Sequence, residues 1–246
     1  MPEQRGFKET FYHKGGGVGQ TPDYWNNNYQ NDVYFRNGEP EKSIGYCTDV
    51  FFDEAISFVT KNKEKPFLCF LSLNAPHSPF NVPKEYYELY ENESELLESQ
   101  KRFYGMITNI DDNFGRLHQH IESLGILDNT IIIFTTDNGT SNGYKYSKKD
   151  RKWLGFNAGM RGTKTSEYDG GHRVPFIIKW KKGGLFGGDN YSGLSAHVDM
   201  LPTLLSFAKI TYSSTKTIDG ADLSKHIINR SEVDRMLVTD TQRNLW

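Results

Sequence analysis

The sequence predicts an α/β fold in which helices cover a mainly parallel β-sheet. Three observations support this prediction: an apolar stripe of helical period over residues 99–124, and short apolar runs at 67–73 and 130–136 on either side of it. A strand, a long helix and a second strand make a βαβ unit, whose two strands are parallel and buried. A chain built from such units forms a helix-covered sheet.

The helix over residues 99–124 has the clearest pattern. Its apolar residues recur at alternating steps of four and three, which places them on one face. They are Phe103, Ile107, Ile110, Phe114, Leu117, Ile121 and Leu124. Gly125 follows as a C-terminal cap. An earlier helix is predicted over residues 50–62, where Phe51, Ala55, Phe58 and Val59 share a face.

The short apolar runs are predicted to be buried strands. Residues 67–73 have the sequence FLCFLSL, and residues 130–136 have the sequence TIIIFTT. Cys69, in the first run, is interpreted as a small buried hydrophobic residue. A further strand at 174–180 and a helix at 197–208 extend the α/β pattern.

The organisation along the chain is predicted in three parts. Residues 1–46 are rich in Gly, Asn and Tyr and show no period, so they are expected to be an irregular segment. Residues 47–210 form the α/β core, and residues 211–246 begin a C-terminal region. With 246 residues the chain is long enough to bury a substantial core.

Charge and hydropathy give no support to several classes of partner. The chain has 29 Lys and Arg against 31 Asp and Glu, a net charge of −2, which gives no reason to expect nucleic acid or an anionic membrane. No run approaches the roughly 18 apolar residues of a spanning helix. Neither Cys47 nor Cys69 belongs to a metal motif or a disulfide framework.

Polar side chains follow both predicted strands. His77 comes after residues 67–73, and Asp137 and Asn138 come after residues 130–136. In open α/β sheets, ligands bind beyond the carboxyl ends of the strands, and parallel strands place those ends on one edge. We therefore expect His77, Asp137 and Asn138 to lie close together.

The sequence DNG at 137–139 allows two interpretations of its polar residues. Asp137 and Asn138 each offer a hard oxygen, the kind of ligand that Ca²⁺ and Mg²⁺ prefer. Alternatively, they form an ordinary Asx-turn, with Gly139 at the bend.

A third interpretation makes Ser141 a nucleophile. GTSNG at 139–143 fits G-x-S-x-G, the nucleophile elbow of α/β-hydrolases. The elbow needs a helix immediately afterwards, and the following residues YKYSKKDRKW have no apolar helical face. Candidate partners of this serine are Asp169, Asp199 and His226.

The glycine-rich segment at 159–175 contains Lys164. Its glycines indicate a backbone that approaches another group closely. A lysine on such a loop can bind an anion as a compact point charge. A flexible surface loop is the alternative. The glycines at 13–21 match no phosphate-binding motif.

Together these segments resemble the sulfatase family, within the alkaline-phosphatase-like superfamily. The resemblance extends over nearly the whole chain, in the ordered motifs GYCTDVFFDEAISFV, PFLCFLSLNAPHSPF, MITNIDDNFGRL, TIIIFTTDNG, GMRGTKTSEYDGGHRVPFIIKW and HVDMLPTLLSFA. It implies the fold of that superfamily and arylsulfatase-like hydrolysis of a sulfated small molecule or glycan. It also implies a lysosomal, secreted or periplasmic location.

The resemblance implies roles for four residues. Asp137 and Asn138 match the second pair of ligands of the family's divalent metal, normally Ca²⁺. Lys164 matches the lysine that contacts the sulfate and the leaving-group oxygen. His77 matches the histidine that hydrogen-bonds the sulfate and assists departure of the alcohol.

The sequence departs from the family pattern in two respects. Thr163 and Thr165 stand where glycines commonly flank the lysine, and Asp169 stands where Glu is usual. The chain also lacks the C/S-x-P-x-R motif that yields the family's formylglycine nucleophile, the first acidic pair of metal ligands and the Lys-x-His segment. The resemblance therefore predicts the central part of a sulfatase, truncated at both ends, with half of the active site and no activity alone.

Three other functions stay open. The first is hydrolysis of a phosphomonoester or phosphonate ester on the same fold, which the absent nucleophile segment would distinguish. The second is a non-catalytic remnant that binds a cation or a sulfated glycan. The third is a serine hydrolase using Ser141, which a fluorophosphonate label would test.

Overall fold

The computed structural model describes residues 1–15, 17–19, 28–213 and 216–239. The chain forms two compact units, which are described separately. Unit 1 comprises Met1–Ile126 and Thr140–Thr163, and unit 2 comprises Leu127–Gly139 and Lys164–Trp246.

Within the described residues, helices and short strands are mixed along the chain. The strands are β1 (Phe11–Tyr12), β2 (Val33–Arg36), β3 (Glu39–Lys42), β4 (Ile132–Thr135), β5 (Tyr144–Ser147), β6 (Lys152–Gly155) and β7 (Phe176–Lys179). The α-helices are α1 (Cys47–Asn62), α2 (Lys84–Glu88), α3 (Glu98–Ser123), α4 (Asp169–His172), α5 (Met200–Phe207) and α6 (Ser224–Asn229). Single 3-10 turns lie at Pro2–Arg5, Leu127–Asn129, Lys181–Gly183 and His197–Asp199. In this part of the chain no helix is both long and apolar enough to cross a membrane.

Unit 1 begins with an antiparallel sheet in the order β1-β2-β3. The prediction that residues 1–46 are irregular is therefore wrong where these strands lie. Asn37 and Gly38 connect β2 to β3 with φ of 51° and 92°, and two positive φ angles are what a type I′ hairpin turn requires. Tyr34 and Phe35 of β2 are buried, so this hairpin also supplies core.

The two predicted long helices are confirmed as α1 and α3, with ends within three residues of those expected. Phe103, Ile110 and Ile121 of the predicted stripe are buried. Ile107 is 40% exposed, because the buried face of α3 is rotated away from it and includes polar residues of the same helix. Those polar residues are Gln100, Asn109 and Asn113.

The polar residues of α3 explain this rotation. Asn109 and Asn113 donate hydrogen bonds of 2.8 and 2.7 Å to Oδ1 of Asp49 on α1. A buried carboxamide keeps its place only where it finds a partner. The α1–α3 contact is thus partly a hydrogen-bonded one, which an apolar period cannot predict. Asp111 and Asp112 lie off this face and are exposed.

Residues 67–73 form no strand, which corrects the prediction of a buried parallel strand there. Leu68 and Phe70 are 68% and 73% exposed. Cys69 is an exposed free thiol and not a buried hydrophobic residue. A strand needs a hydrogen-bonded neighbour, and no described segment pairs with this run.

Unit 2 contains a pair of antiparallel strands, β4 and β7, in which Ile133 lies opposite Ile178. Strands are confirmed within the predicted ranges 130–136 and 174–180, but their pairing is not parallel. The prediction that residues 130–136 are buried is wrong, because β4 is half-buried and its last residue is exposed. All strand pairs in the described part of the chain are antiparallel. The predicted helix at 197–208 is present as a 3-10 turn followed by α5.

Candidate functional site

Three hydrogen bonds hold the backbone that follows β4, from Thr136 to Gly139. The Thr136 carbonyl accepts a hydrogen bond of 2.9 Å from Nε2 of His197. The Thr136 hydroxyl donates to the carbonyl of Asn138 at 3.2 Å. The Gly139 N–H donates to the carbonyl of Gly171 at 2.9 Å. The positions of Asp137 and Asn138 are therefore determined by their neighbours.

The side chains of Asp137 and Asn138 have no hydrogen-bond partner among the described residues. Asp137 is exposed and Asn138 is half-buried. An Asx-turn would place the Asp137 carboxylate on the N–H of Gly139, which binds Gly171 instead. Elsewhere in the described chain no residue hydrogen-bonds either side chain. The Asx-turn interpretation is thus wrong, and two hard oxygens are free to bind a ligand.

Two glycines join this segment to the loop that contains Lys164. A Cβ on Gly139 would lie 1.9 Å from the carbonyl oxygen of Gly170. A Cβ on Gly171 would lie 2.0 Å from the carbonyl oxygen of Ser166. Because real Cβ contacts are never this short, any other residue would push the two segments apart. The close backbone approach inferred from these glycines is confirmed.

Lys164 begins the part of this loop that belongs to unit 2, and its side chain is half-buried. The next residue, Thr165, has a φ of 74°, a conformation that β-branched residues rarely adopt. His172 closes the loop by donating from Nε2 to the carbonyl of Glu167 at 2.9 Å. Within the described residues the Lys164 ammonium has no carboxylate partner, so its charge is available to an anion.

His77 lies in unit 1, in the turn that follows Ala75. Its Nδ1 is 2.9 Å from the carbonyl oxygen of Ser78. A carbonyl only accepts, so Nδ1 carries the proton and Nε2 is left as an acceptor on an exposed ring. The backbone of His77 is held by Asn74, whose carbonyl accepts its N–H at 3.0 Å, and by the hydroxyl of Tyr29.

Two parallel strands would bring His77 close to Asp137 and Asn138. Residues 67–73 are not a strand and β4 is paired antiparallel, so the strands do not place these residues together. Asp137, Asn138 and Lys164 all belong to unit 2, and His77 belongs to unit 1. Their convergence stays a prediction.

Ser141 does not have the surroundings of a nucleophile elbow. The chain after it enters β5 and not a helix. Its three candidate partners form hydrogen bonds with other side chains: Asp169 with Arg173, Asp199 with Arg235 and His226 with Ser231. The serine-hydrolase interpretation is therefore wrong.

Asp137 and Asn138 fit part of a metal site. Their oxygens are the type that Ca²⁺ binds, but Ca²⁺ takes about six to eight of them. The described residues contain no group of three or more His, Cys, Asp or Glu that would hold a metal ion. These two residues therefore fit as two ligands in a larger shell.

His197 and Arg235 are structurally important in unit 2, although no sequence motif assigns them a role. His197 holds the end of β4, as described above. Arg235 makes a bidentate contact with Asp199, whose carboxylate is fully buried. Both contacts join residues far apart in the chain, so no local pattern could have indicated them.

Comparison with known proteins gives consistent matches. The family model described as Sulfatase matches residues 1–210. The uncharacterized sulfatase YdeN of Escherichia coli K12 is 30% identical to this chain, of which it covers 91%, and 37% of its own length is matched. The arylsulfatase of Clostridium perfringens is 29% identical and covers 76% of this chain, with 43% of its own length matched.

Solved structures show the same fold. Ps i-CgsB in complex with k-i-k-neocarrahexaose superposes with a TM-score of 0.78 at 27% identity, over 94% of this chain and 52% of that one. This similarity confirms the predicted α/β class of the alkaline-phosphatase-like type. The chain spans less than half the length of the curated relatives named above.

Proposed function

Because the chain belongs to the sulfatase family, we propose that the protein containing it hydrolyses sulfate esters and that this chain supplies half of the active site. The main support is the geometry at the end of β4. Asp137 and Asn138 present two uncommitted oxygens, and the Gly139–Gly171 hydrogen bond of 2.9 Å fixes them to the loop that carries an uncommitted Lys164.

In this proposal Asp137 and Asn138 bind a divalent metal, Ca²⁺ by the family resemblance. When bound, such a cation stabilises negative charge on the transferring sulfuryl group. Lys164 donates charge-assisted hydrogen bonds to a sulfate oxygen and to the leaving oxygen. Lysine suits this task because its ammonium is a compact charge on a flexible stem.

His77 acts on the leaving group. With Nδ1–H held by the Ser78 carbonyl at 2.9 Å, its ring leaves Nε2 as the nitrogen that would meet a bound ester. When it is protonated there, Nε2 donates that proton to the departing alcohol oxygen. The nucleophile is formylglycine by resemblance; its C/S-x-P-x-R motif is not among these 246 residues, so turnover needs that segment.

We propose a sulfated glycan as the substrate. Support comes from the similar solved structure, Ps i-CgsB, which holds a hexaose. A polymeric sulfated substrate also agrees with the lysosomal, secreted or periplasmic location implied by the family resemblance.

The test is hydrolysis of 4-nitrophenyl sulfate by the protein that joins this chain to a C/S-x-P-x-R segment, with the matching phosphate and phosphonate esters as competitors. We expect Lys164→Ala and His77→Ala to lower kcat by about 10²–10³, and Asp137→Ala to abolish the dependence on Ca²⁺. The exposed Lys182→Ala is the control and should leave turnover unchanged.

Each alternative has its own outcome in this test. Faster turnover of the phosphate or phosphonate ester would reassign the substrate class. Binding of Ca²⁺ or of a sulfated sugar with no turnover would indicate a non-catalytic remnant.

A further inference from the structure

The hairpin β5–β6 in unit 1 presents an aromatic face to solvent. Tyr146 lies opposite Trp153 in the pairing, and Tyr144 lies on the same face because side chains alternate along a strand. The Tyr144 and Trp153 rings stack at 4.8 Å with 14° between their planes, and Tyr146 meets Trp153 edge-on at 5.8 Å. The other face holds Ser147 and Leu154, which are buried.

These aromatic rings are accessible. Trp153 is 52% exposed and Tyr146 is 46% exposed. Contiguous exposed apolar surface in a folded protein usually marks a contact site. Tyr and Trp supply large contact area at low entropic cost, which suits them to recognition.

The hairpin is also strongly cationic. Residues 144–153 contain five basic side chains and a single acidic one, in a chain whose basic and acidic residues nearly balance. Lys152 is neutralised by Glu95 at 2.6 Å, and Asp150 accepts from the Ser147 hydroxyl at 2.6 Å. The turn leaves three exposed cations with no ion pair among the described residues: Lys148, Lys149 and Arg151.

The hairpin is held in one position on α3. Gln100 donates from Nε2 to the carbonyl of Leu154 at 2.9 Å. The Tyr104 hydroxyl donates to the carbonyl of Gly143 at 2.6 Å and accepts from the N–H of Phe156 at 3.0 Å. These bonds tie both ends of the hairpin to one helix. A surface fixed in this way binds without first having to be ordered.

We propose that the hairpin β5–β6 is a docking surface for a sulfated polysaccharide chain, separate from the residues that act on the ester. Sulfate groups take charge-assisted hydrogen bonds from Lys148, Lys149 and Arg151. The apolar face of a sugar ring packs on Trp153 and Tyr146, which lie opposite each other one residue pair before the turn that carries those cations. The choice of sulfate as the anion rests on the proposed function.

A neighbouring pocket does not fit the anion. It has a volume of about 380 Å³ and two carboxylates in its wall, those of Glu93 and Glu95. Glu95 is paired with Lys152, but Glu93 has no ion pair among the described residues, and its carboxylate repels sulfate because like charges at short range raise the free energy of binding. The ligand therefore lies along the outward aromatic face and the turn.

Binding of dextran sulfate to the chain, measured by isothermal titration without any turnover, tests the proposal. Unsulfated dextran and single-stranded oligo(dT) are the comparison ligands. We expect Lys148→Gln/Lys149→Gln/Arg151→Asn to weaken binding of dextran sulfate about tenfold. Arg151 is replaced by Asn because the backbone φ at residue 151 is 53°, a left-handed conformation that Asn tolerates.

The matched control removes three other exposed lysines near the end of α1, Lys61→Gln/Lys63→Gln/Lys65→Gln, and should leave the affinity unchanged. Trp153→Ala should weaken binding even in high salt, where ionic contacts are screened, and Trp153→Phe should restore it. Circular dichroism of each variant reports on folding.

Three outcomes would overturn the proposal. Equal losses in the two triple variants would mean unspecific ion exchange. No effect of Trp153→Ala in a folded variant would remove the role of the aromatic face. Oligo(dT) that binds as tightly as dextran sulfate would make the hairpin a nucleic-acid surface. None of these depends on sulfatase turnover, which is measured with a small aryl ester.

Discussion

At the scale of single residues, Asp199 shows how a buried charge is stabilised. Its carboxylate accepts from both terminal nitrogens of Arg235 and from the N–H groups of Ala196 and Ala221, at 2.6 and 2.9 Å. Burial by itself raises the pKa of Asp199, but these hydrogen bonds outweigh it and hold the pKa below 3.8, its ordinary value. The ion pair therefore joins the segment after residue 230 to the start of α5 only while Asp199 is charged.

The first prediction follows from this pair. Arg235→Met should lower the free energy of unfolding at neutral pH by about 3–5 kcal/mol, because it leaves a buried charge unpaired. Lys181→Met, which breaks an exposed pair with Asp128, is the control and should leave the free energy of unfolding nearly unchanged, because surface ion pairs contribute little. Urea unfolding of both variants measures the difference.

The sign of the pH dependence is fixed by the lowered pKa. The folded pKa is below the unfolded one, so the stabilising contribution is present above 3.8 and is lost as pH falls through the folded value. The difference in the free energy of unfolding between wild type and Arg235→Met should therefore become smaller in acid. A gap that stays constant from neutral pH to below 3.8 would contradict this account.

At the scale of elements, glycines act in opposite ways in two places. Gly139 touches the backbone of Gly170 and Gly171, whereas Gly115 in α3 has open space where a Cβ would be. Gly139→Ala should destabilise by about 1–3 kcal/mol through overpacking. Gly115→Ala should stabilise by about 0.5–1 kcal/mol, since alanine loses less backbone entropy in a helix. Thermal unfolding of the two variants should show shifts of opposite sign; shifts of the same sign would refute the argument.

Helices with a long run of regularly spaced apolar residues could be predicted from the sequence, and elements that depend on distant partners could not. α1 and α3 follow from many apolar positions that agree with one another. The β2–β3 hairpin has a local signal, Asn37-Gly38, but its strands of four residues are too short to show a clear alternation. The run at 67–73 has the composition of a strand, but composition does not supply the neighbour that makes a strand.

The exposed run at 67–73 gives the next prediction. Leu68→Ser and Phe70→Ser should change the free energy of unfolding by about 0.5 kcal/mol or less, because these side chains are mostly in solvent. Phe103→Ala, in the core of unit 1, should cost about 3–5 kcal/mol and is the comparison. A large loss for the two serine variants would mean that Leu68 and Phe70 are buried in solution.

At the scale of the whole molecule, averages hide the features that matter for function. The net charge of −2 gave no reason to expect nucleic acid or an anionic membrane as partner, yet the hairpin β5–β6 concentrates five of the basic residues. The candidate site likewise contains residues that the sequence could indicate and residues that it could not. Asp137, Asn138, Lys164 and His77 were found through motifs, whereas their supports, such as His197 and Gly171, appear only in the folded chain.

The last prediction concerns residues 1–246 as an isolated protein, which should not hydrolyse sulfate esters. They contain no C/S-x-P-x-R motif, and Asp137 with Asn138 supply only some of the roughly six to eight oxygens that Ca²⁺ needs. Catalytic groups act as a unit, so losing the nucleophile removes most of the rate however well the others are placed. The measurement is turnover of 4-nitrophenyl sulfate with and without added Ca²⁺, with Ca²⁺ binding followed separately by calorimetry. Weak Ca²⁺ binding that Asp137→Ala abolishes, without turnover, is the expected result. Ca²⁺-dependent turnover that disappears in Lys164→Ala would show that these residues contain a nucleophile of their own.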